Sequence, residues 1–175
     1  PGCAFPFLLH RSIDFTNFVT LLRNSYDGPL DISLVLGILG SGFNRLDPLT
    51  YSPYLRDGSW EGSTPHEVLL HVGKEDAQVH NQVSFQLARR IGVPLLTPAV
   101  RPVFDLAEVP YPHAGSGLVE FDFGWPDNPT PALPPPSEHD THSGPRKDAV
   151  AQDQLWTFLE TGQITAVCDG PCDPH

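Results

Sequence analysis

The stretch VLLHVGKEDAQVHNQVSFQLARRIG, Val68 to Gly92, changes its periodicity in the middle, and that change decides the fold. Val68, Leu69, Leu70 and Val72 form the continuous apolar run of a strand covered on both faces. Gly73 begins a turn. From Asp76 onward Val79, Val83, Leu87 and Ile91 recur every four residues, Gly92 stands where a helix C-terminus favours glycine, and Pro94 follows. The spacing predicts strand, loop and helix in series, with Asp76 at the joint. Loops at the carboxyl ends of strands are where α/β sheets hold their chemistry, so Asp76 is a candidate site residue. An Asp in front of a helix is equally a good N-cap, and Glu75 is a second candidate for an acid at this joint.

Upstream, DFTNFVTLLRNSY places Phe15, Phe18, Leu22 and Tyr26 at helical intervals, which predicts an amphipathic helix from Asp14. LDISLVLGILGSGFNRLDP reads as a second helix ended by Gly40, Gly42 and Pro48. Its apolar part, Ile32 to Gly40, is far shorter than the ~20 residues of a membrane span and is expected to be a core helix. Downstream, GLVEFDFG alternates Val119, Phe121 and Phe123 with Glu120 and Asp122, which predicts a strand with one polar face near a sheet edge. WPDNPTPALPPPSEHDTHSG is too rich in proline for helix or central strand and reads as a long loop. It runs into HSGPRKDAVAQDQLWTFLETG. There Ser143 or Gly144 can cap, Pro145 suits the first turn, Ala151, Leu155, Phe158 and Leu159 form the buried stripe, and Gly162 stops the helix.

The 175 residues are 39% hydrophobic and 18% charged and show no repeat, as expected of one globular domain over 1–175. A formal net charge of -11 excludes a phosphate backbone as partner, because 10 Lys and Arg stand against 21 Asp and Glu. No run is long enough for a membrane span. Cys168 and Cys172 in CDGPC are close enough for a small disulfide turned at Gly170 and Pro171, within a terminal tail at 163–175. That bond points to an oxidising compartment, secreted or in the cell envelope.

The order strand, acid, helix, strand, long loop, histidine, helix resembles the C-terminal half of an α/β-hydrolase, from the helix at Asp14 to Gly162. In that family an acid follows one late strand, a histidine lies in the loop after the last strand, and a final helix covers the sheet. Asp76 matches the acid and His142 the histidine. The resemblance implies an α/β class chain holding the C-terminal portion of a doubly wound sheet, incomplete by itself. It also implies a serine hydrolase of the esterase or lipase kind, acting on a small-molecule ester or related acyl bond with neither cofactor nor metal. A serine peptidase resembling the prolyl oligopeptidase group shares the same element order.

The family's nucleophile sits in G-x-S-x-G, and no such pentapeptide occurs here. Ser41 has Leu39 in place of the first glycine; Ser116 has Ala114 there and Leu118 in place of the second. In the family the serine precedes the acid, so the resemblance puts the nucleophile, its oxyanion donors and the first strands in an upstream part of the same polypeptide. A chain that begins at Pro1 and contains no Met fits that expectation. By itself it is expected to be inactive.

The chemistry of such a pair is definite. A carboxylate bound to one imidazole N-H fixes the tautomer, leaves the other nitrogen free to take the nucleophile's proton, and stabilises the imidazolium that forms. His139, three residues from His142, competes for the role, but His142 adjoins the helix cap. His71, inside an apolar strand, reads as a hydrogen-bonded core residue. SEHDTHS also offers Glu138, His139, Asp140 and His142 as a local metal-binding cluster, the basis of a metal-dependent hydrolase reading. A non-catalytic binding module built on the hydrolase fold is the remaining alternative.

Overall fold

The computed structural model describes residues 3–129 and 133–173; positions 130–132 of the Pro-rich loop and both chain ends lie outside them. The first part is helical: α1 (Phe5–Arg11), α2 (Thr16–Ser25), α3 (Pro29–Phe43), α4 (Pro48–Tyr51) and α5 (Tyr54–Asp57). Then follow β1 (Leu69–Gly73), α6 (Asn81–Ile91), β2 (Leu95–Thr97), β3 (Glu108–Pro110), β4 (His113–Ala114) and β5 (Gly117–Phe121). After the long loop come α7 (Gly144–Lys147), α8 (Ala149–Thr161) and β6 (Gln163–Ile164). The chain is of the α/β class. Its main sheet has four parallel strands in the order β1-β5-β2-β3, and β4 and β6 form a small antiparallel pair.

Strand alternation divides the core into two layers. Leu70, Val72, Leu95 and Leu118 pack with Val83, Leu87 and Ile91 of α6. Val119, Phe121 and Leu96 pack with Ala151 and Phe158 of α8. The strand read at Val68 is therefore covered on both faces, as its apolar run requires. α1, α2 and α3 make a third cluster around Leu9, Leu22 and Leu36, with Phe15 and Phe18 of the predicted stripe against it.

Several local readings are corrected. β5 is not an edge strand but lies between β1 and β2, and all five of its residues are buried. Its polar residue is tolerated there because Arg101 forks onto it: Nε donates to Glu120 Oε2 at 2.9 Å and Nη2 to Oε1 at 2.6 Å. Just past the strand, Lys74 meets Asp122 at 2.8 Å. The α3 segment is a helix as predicted but not a core one, since only Leu36 and Gly40 are buried. Leu30, Leu34 and Ile38, one turn apart, form an exposed apolar face. No helix among the described residues is long and apolar enough to cross a membrane.

The final helix is broken. α7 stops at Lys147, and Asp148 caps α8 by accepting the Ala151 N-H at 2.9 Å. The buried stripe of α8 is Ala151, Gln154 and Phe158, while Leu155 and Leu159 are exposed; Ser143 makes no side-chain capping bond. Gly162 ends α8 in the left-handed conformation at φ 70°. Cys168 and Cys172 are joined in a disulfide, and the Cys172 carbonyl accepts the Asp122 N-H at 2.8 Å, pinning the tail beside the end of β5.

Candidate active site

β1 and β5 are adjacent and parallel, with Leu69 opposite Gly117 and Gly73 opposite Phe121, so the loops that follow them leave the same end of the sheet. The loop after β1 is shaped by its own backbone demands. Glu75 takes φ 63°, and its N-H donates to Asn81 Oδ1 at 3.0 Å. Asn81 in turn donates from Nδ2 to the Gly73 carbonyl at 2.7 Å, so the first residue of α6 braces the turn. The helix therefore starts at Asn81 and not at Asp76. Its cap is His80, whose Nδ1 accepts the Gln82 N-H at 3.1 Å.

Asp76 is thus freed from capping α6 and holds its own loop instead. Oδ1 accepts N-H bonds from Gln78 at 2.9 Å and Val79 at 2.7 Å. Oδ2 accepts from His142 Nδ1 at 2.9 Å, across a sequence separation of 66 residues. Burial lifts the Asp76 carboxyl above the usual carboxylate range, and the N-H of Val79, the His142 imidazole and the N-H of Gln78 pull it back down.

The loop carrying His142 is docked by its two preceding residues. Thr141 Oγ1 donates to the Lys74 carbonyl at 2.7 Å. Asp140 Oδ1 accepts from Ala77 N and His142 N, both at 3.1 Å, and its Oδ2 accepts from Gln78 Nε2 at 2.7 Å. One carboxylate therefore ties the acid's loop to the histidine's loop. Behind them Gly144 has no room for a Cβ, which would overlap the Phe123 ring.

With Nδ1-H given to Asp76, a neutral His142 carries its lone pair on Nε2, which has no hydrogen-bond partner among the described residues. The ring lines a cleft of about 350 Å³ together with Leu69, His71, Ser84, Arg146 and Leu155. Such a nitrogen can accept a proton from a hydroxyl presented in that cleft.

The competing candidates lie elsewhere. His139 stacks on Trp125 at 4.2 Å between centroids. Glu75 stands 3.9 Å from Arg101 Nη1. His71 pairs through Nε2 with Gln154 Oε1 at 2.8 Å, and burial depresses its pKa, as suits a neutral core histidine. Ser41 bonds the carbonyl of Gly37 on its own helix, and Ser116, at the start of β5, is buried against Glu67 and the Val68 N-H. The residues of SEHDTHS are divided among stacking, loop-tying and the Asp76 contact, and no group of three or more His, Cys, Asp or Glu among the described residues is arranged to hold a metal. Asp140 and Asn81 are positioning residues that the sequence reading did not assign; the only signal was an Asp two residues before His142, the spacing of an Asx turn.

No protein-family model, curated protein or solved structure matches the chain.

Proposed function

We propose that this chain supplies the acid and the base of an α/β-hydrolase-type serine enzyme that cleaves a small-molecule ester or related acyl bond. Asp76 orients and His142 moves the proton, while the serine and its oxyanion donors come from an upstream part of the same polypeptide. One observation carries the reading: a carboxylate and an imidazole 2.9 Å apart, on loops leaving the same end of two adjacent parallel strands, with the second ring nitrogen beside a cleft and without a partner among the described residues. The rest of the sheet supports it. β1 ends the strand order, and α8 exposes Leu155, Trp156 and Leu159, so further strands and their covering elements have an edge to join. The Cys168–Cys172 disulfide supports a secreted or cell-envelope location.

Labelling with a serine-directed fluorophosphonate tests the proposal on the chain by itself and on the polypeptide extended upstream. The expected result is label on a serine before Pro1 in the extended protein, lost in His142→Ala, and no label on the chain alone. Label on this chain alone, removed by Ser84→Ala, would move the nucleophile inside it, because Ser84 lines the same cleft. Absence of label from both would favour a second reading, a hydrolase-like binding module, for which the exposed Leu30, Leu34 and Ile38 face is the supporting feature.

A further inference from the structure

A second cavity, of about 470 Å³, shares no residue with the cleft at His142 and is walled in part by Arg11, Arg89, Arg101, Glu75 and Phe85. Three guanidinium groups on one cavity are unexpected in a chain of net charge -11. Their counter-charges are unevenly supplied. Arg101 is engaged by Glu120 in two bonds. Among the described residues Arg89 donates only to the Phe104 carbonyl at 2.9 Å, and Arg11 only to the Leu133 carbonyl at 2.9 Å, with its guanidinium also over the Phe7 ring at 5.7 Å from the centroid. Neither is within ion-pair distance of a carboxylate among the described residues. Of the two carboxylates on the walls, Asp127 is taken by Lys74 at 2.9 Å, which leaves Glu75, itself 3.9 Å from Arg101.

Arg11 is the unusual member. It is 5% exposed, and its Nε is the one buried side-chain polar atom without a partner among the described residues. A buried guanidinium normally has a carboxylate or a full set of acceptors, because an unmade bond to a desolvated cation is costly. The neighbourhood adds to the positive field. Asn81 and Gln82, at the N-terminus of α6, lie in the same wall, where the helix dipole favours an anion. Burial, and after it the charges of Arg11 and Arg101, push His80 down to about 3, so the imidazole stays neutral. Phe85, Val103 and Phe104 supply apolar surface beside these groups.

We propose that this cavity is a binding site for a small organic acid, with its carboxylate on Arg11, its apolar body against Phe85 and Val103, and Arg89 further along the wall adding to the positive field. A carboxylate suits the site better than a phosphate, because Glu75 remains on the wall and would oppose a second negative charge. The site stands independently of the hydrolase reading, since no residue of the Asp76–His142 cleft belongs to it.

Calorimetric titration of the chain with benzoate, benzamide and inorganic phosphate tests the proposal. Benzoate is expected to saturate a single site below about 1 mM, with benzamide and phosphate at least about tenfold weaker. Arg11→Gln should weaken benzoate by about tenfold or more, with folding checked by circular dichroism. Should that variant fail to fold, Arg89→Gln, at a half-exposed position, should weaken benzoate several-fold. Equal binding of benzamide, tighter binding of phosphate, absence of saturation by about 10 mM, or an unchanged affinity in a folded arginine variant would each overturn it.

Discussion

Gly73 and Thr141 pack so closely that a Cβ on the glycine would stand 2.7 Å from Thr141 Oγ1 and 2.8 Å from its carbonyl oxygen. That approach lets Thr141 bond the Lys74 carbonyl, and it sets His142 against Asp76 one residue later. The glycine at the end of β1 is therefore a requirement of the site as well as of the strand.

Gly73→Ala is expected to destabilise the fold by about 1–3 kcal/mol, the usual cost of overpacking a site that cannot yield freely. Urea unfolding checks the magnitude. A crystal structure of the variant should show the Thr141 to Lys74 bond broken and the Asp76 to His142 distance lengthened. Unchanged stability would mean that the 140–143 loop is free to withdraw.

Stability should fall as the solution is acidified below about pH 6.5, in part through His80. Its ordinary pKa of 6.5 is pushed down to about 3 in the fold. The folded state therefore binds fewer protons than the unfolded chain between those values, so the stability present above pH 6.5 is lost progressively on the way down. At pH 5 the full effect would be about 2 kcal/mol, reduced to about 1 kcal/mol by the partial exposure of the ring. His80→Asn keeps an acceptor for the Gln82 N-H but does not titrate, so the difference in unfolding free energy between the two proteins should change by that amount from pH 7.5 to pH 5. A pH-independent difference would show that His80 titrates normally.

Arg101→Met should be among the most damaging single changes, because it leaves Glu120, whose side chain is 1% exposed, as an unpaired charge inside the sheet. Loss of one partner of a buried pair costs about 3–5 kcal/mol, and the 32% exposure of Arg101 puts the expectation at the lower end. Glu120→Leu combined with Arg101→Met should recover much of that loss in a double-mutant cycle. Additive losses would show that the two side chains are not coupled.

The sequence was most legible where periodicity was strong. The β1 run and the four-residue repeat of α6 survive in the structure, as do Gly92 and Gly162 as helix stops. Helix starts were less legible, because Asp76 and Ser143 look like caps while His80 and Asp148 do the capping. β5 resembles an edge strand in the sequence because Glu120, and Asp122 just beyond the strand, display their charge locally, whereas Arg101 and Lys74, which neutralise them, are remote in the chain. β2 and β3 leave little periodic signal, because each is three residues long, β2 lies between Pro94 and Pro98, and β3 ends in Pro110. At the site, adjacency to the helix start favoured His142 over His139, and His142 is the ring beside Asp76. The Arg11 cavity was invisible, since it gathers residues from α1, α6 and the loops beyond β2 and β5.

Turnover of an activated ester by the polypeptide extended upstream of Pro1, compared between single variants, tests most directly whether Asp76 and His142 form a proton-transfer pair. His142→Ala and Asp76→Asn are each expected to lower kcat by about 10⁴-fold or more, the second through the wrong imidazole tautomer. His139→Ala, which removes only a ring stacked on Trp125, should change kcat by less than about threefold. Retention of kcat within about tenfold by His142→Ala, or a larger loss in His139→Ala, would contradict the assignment.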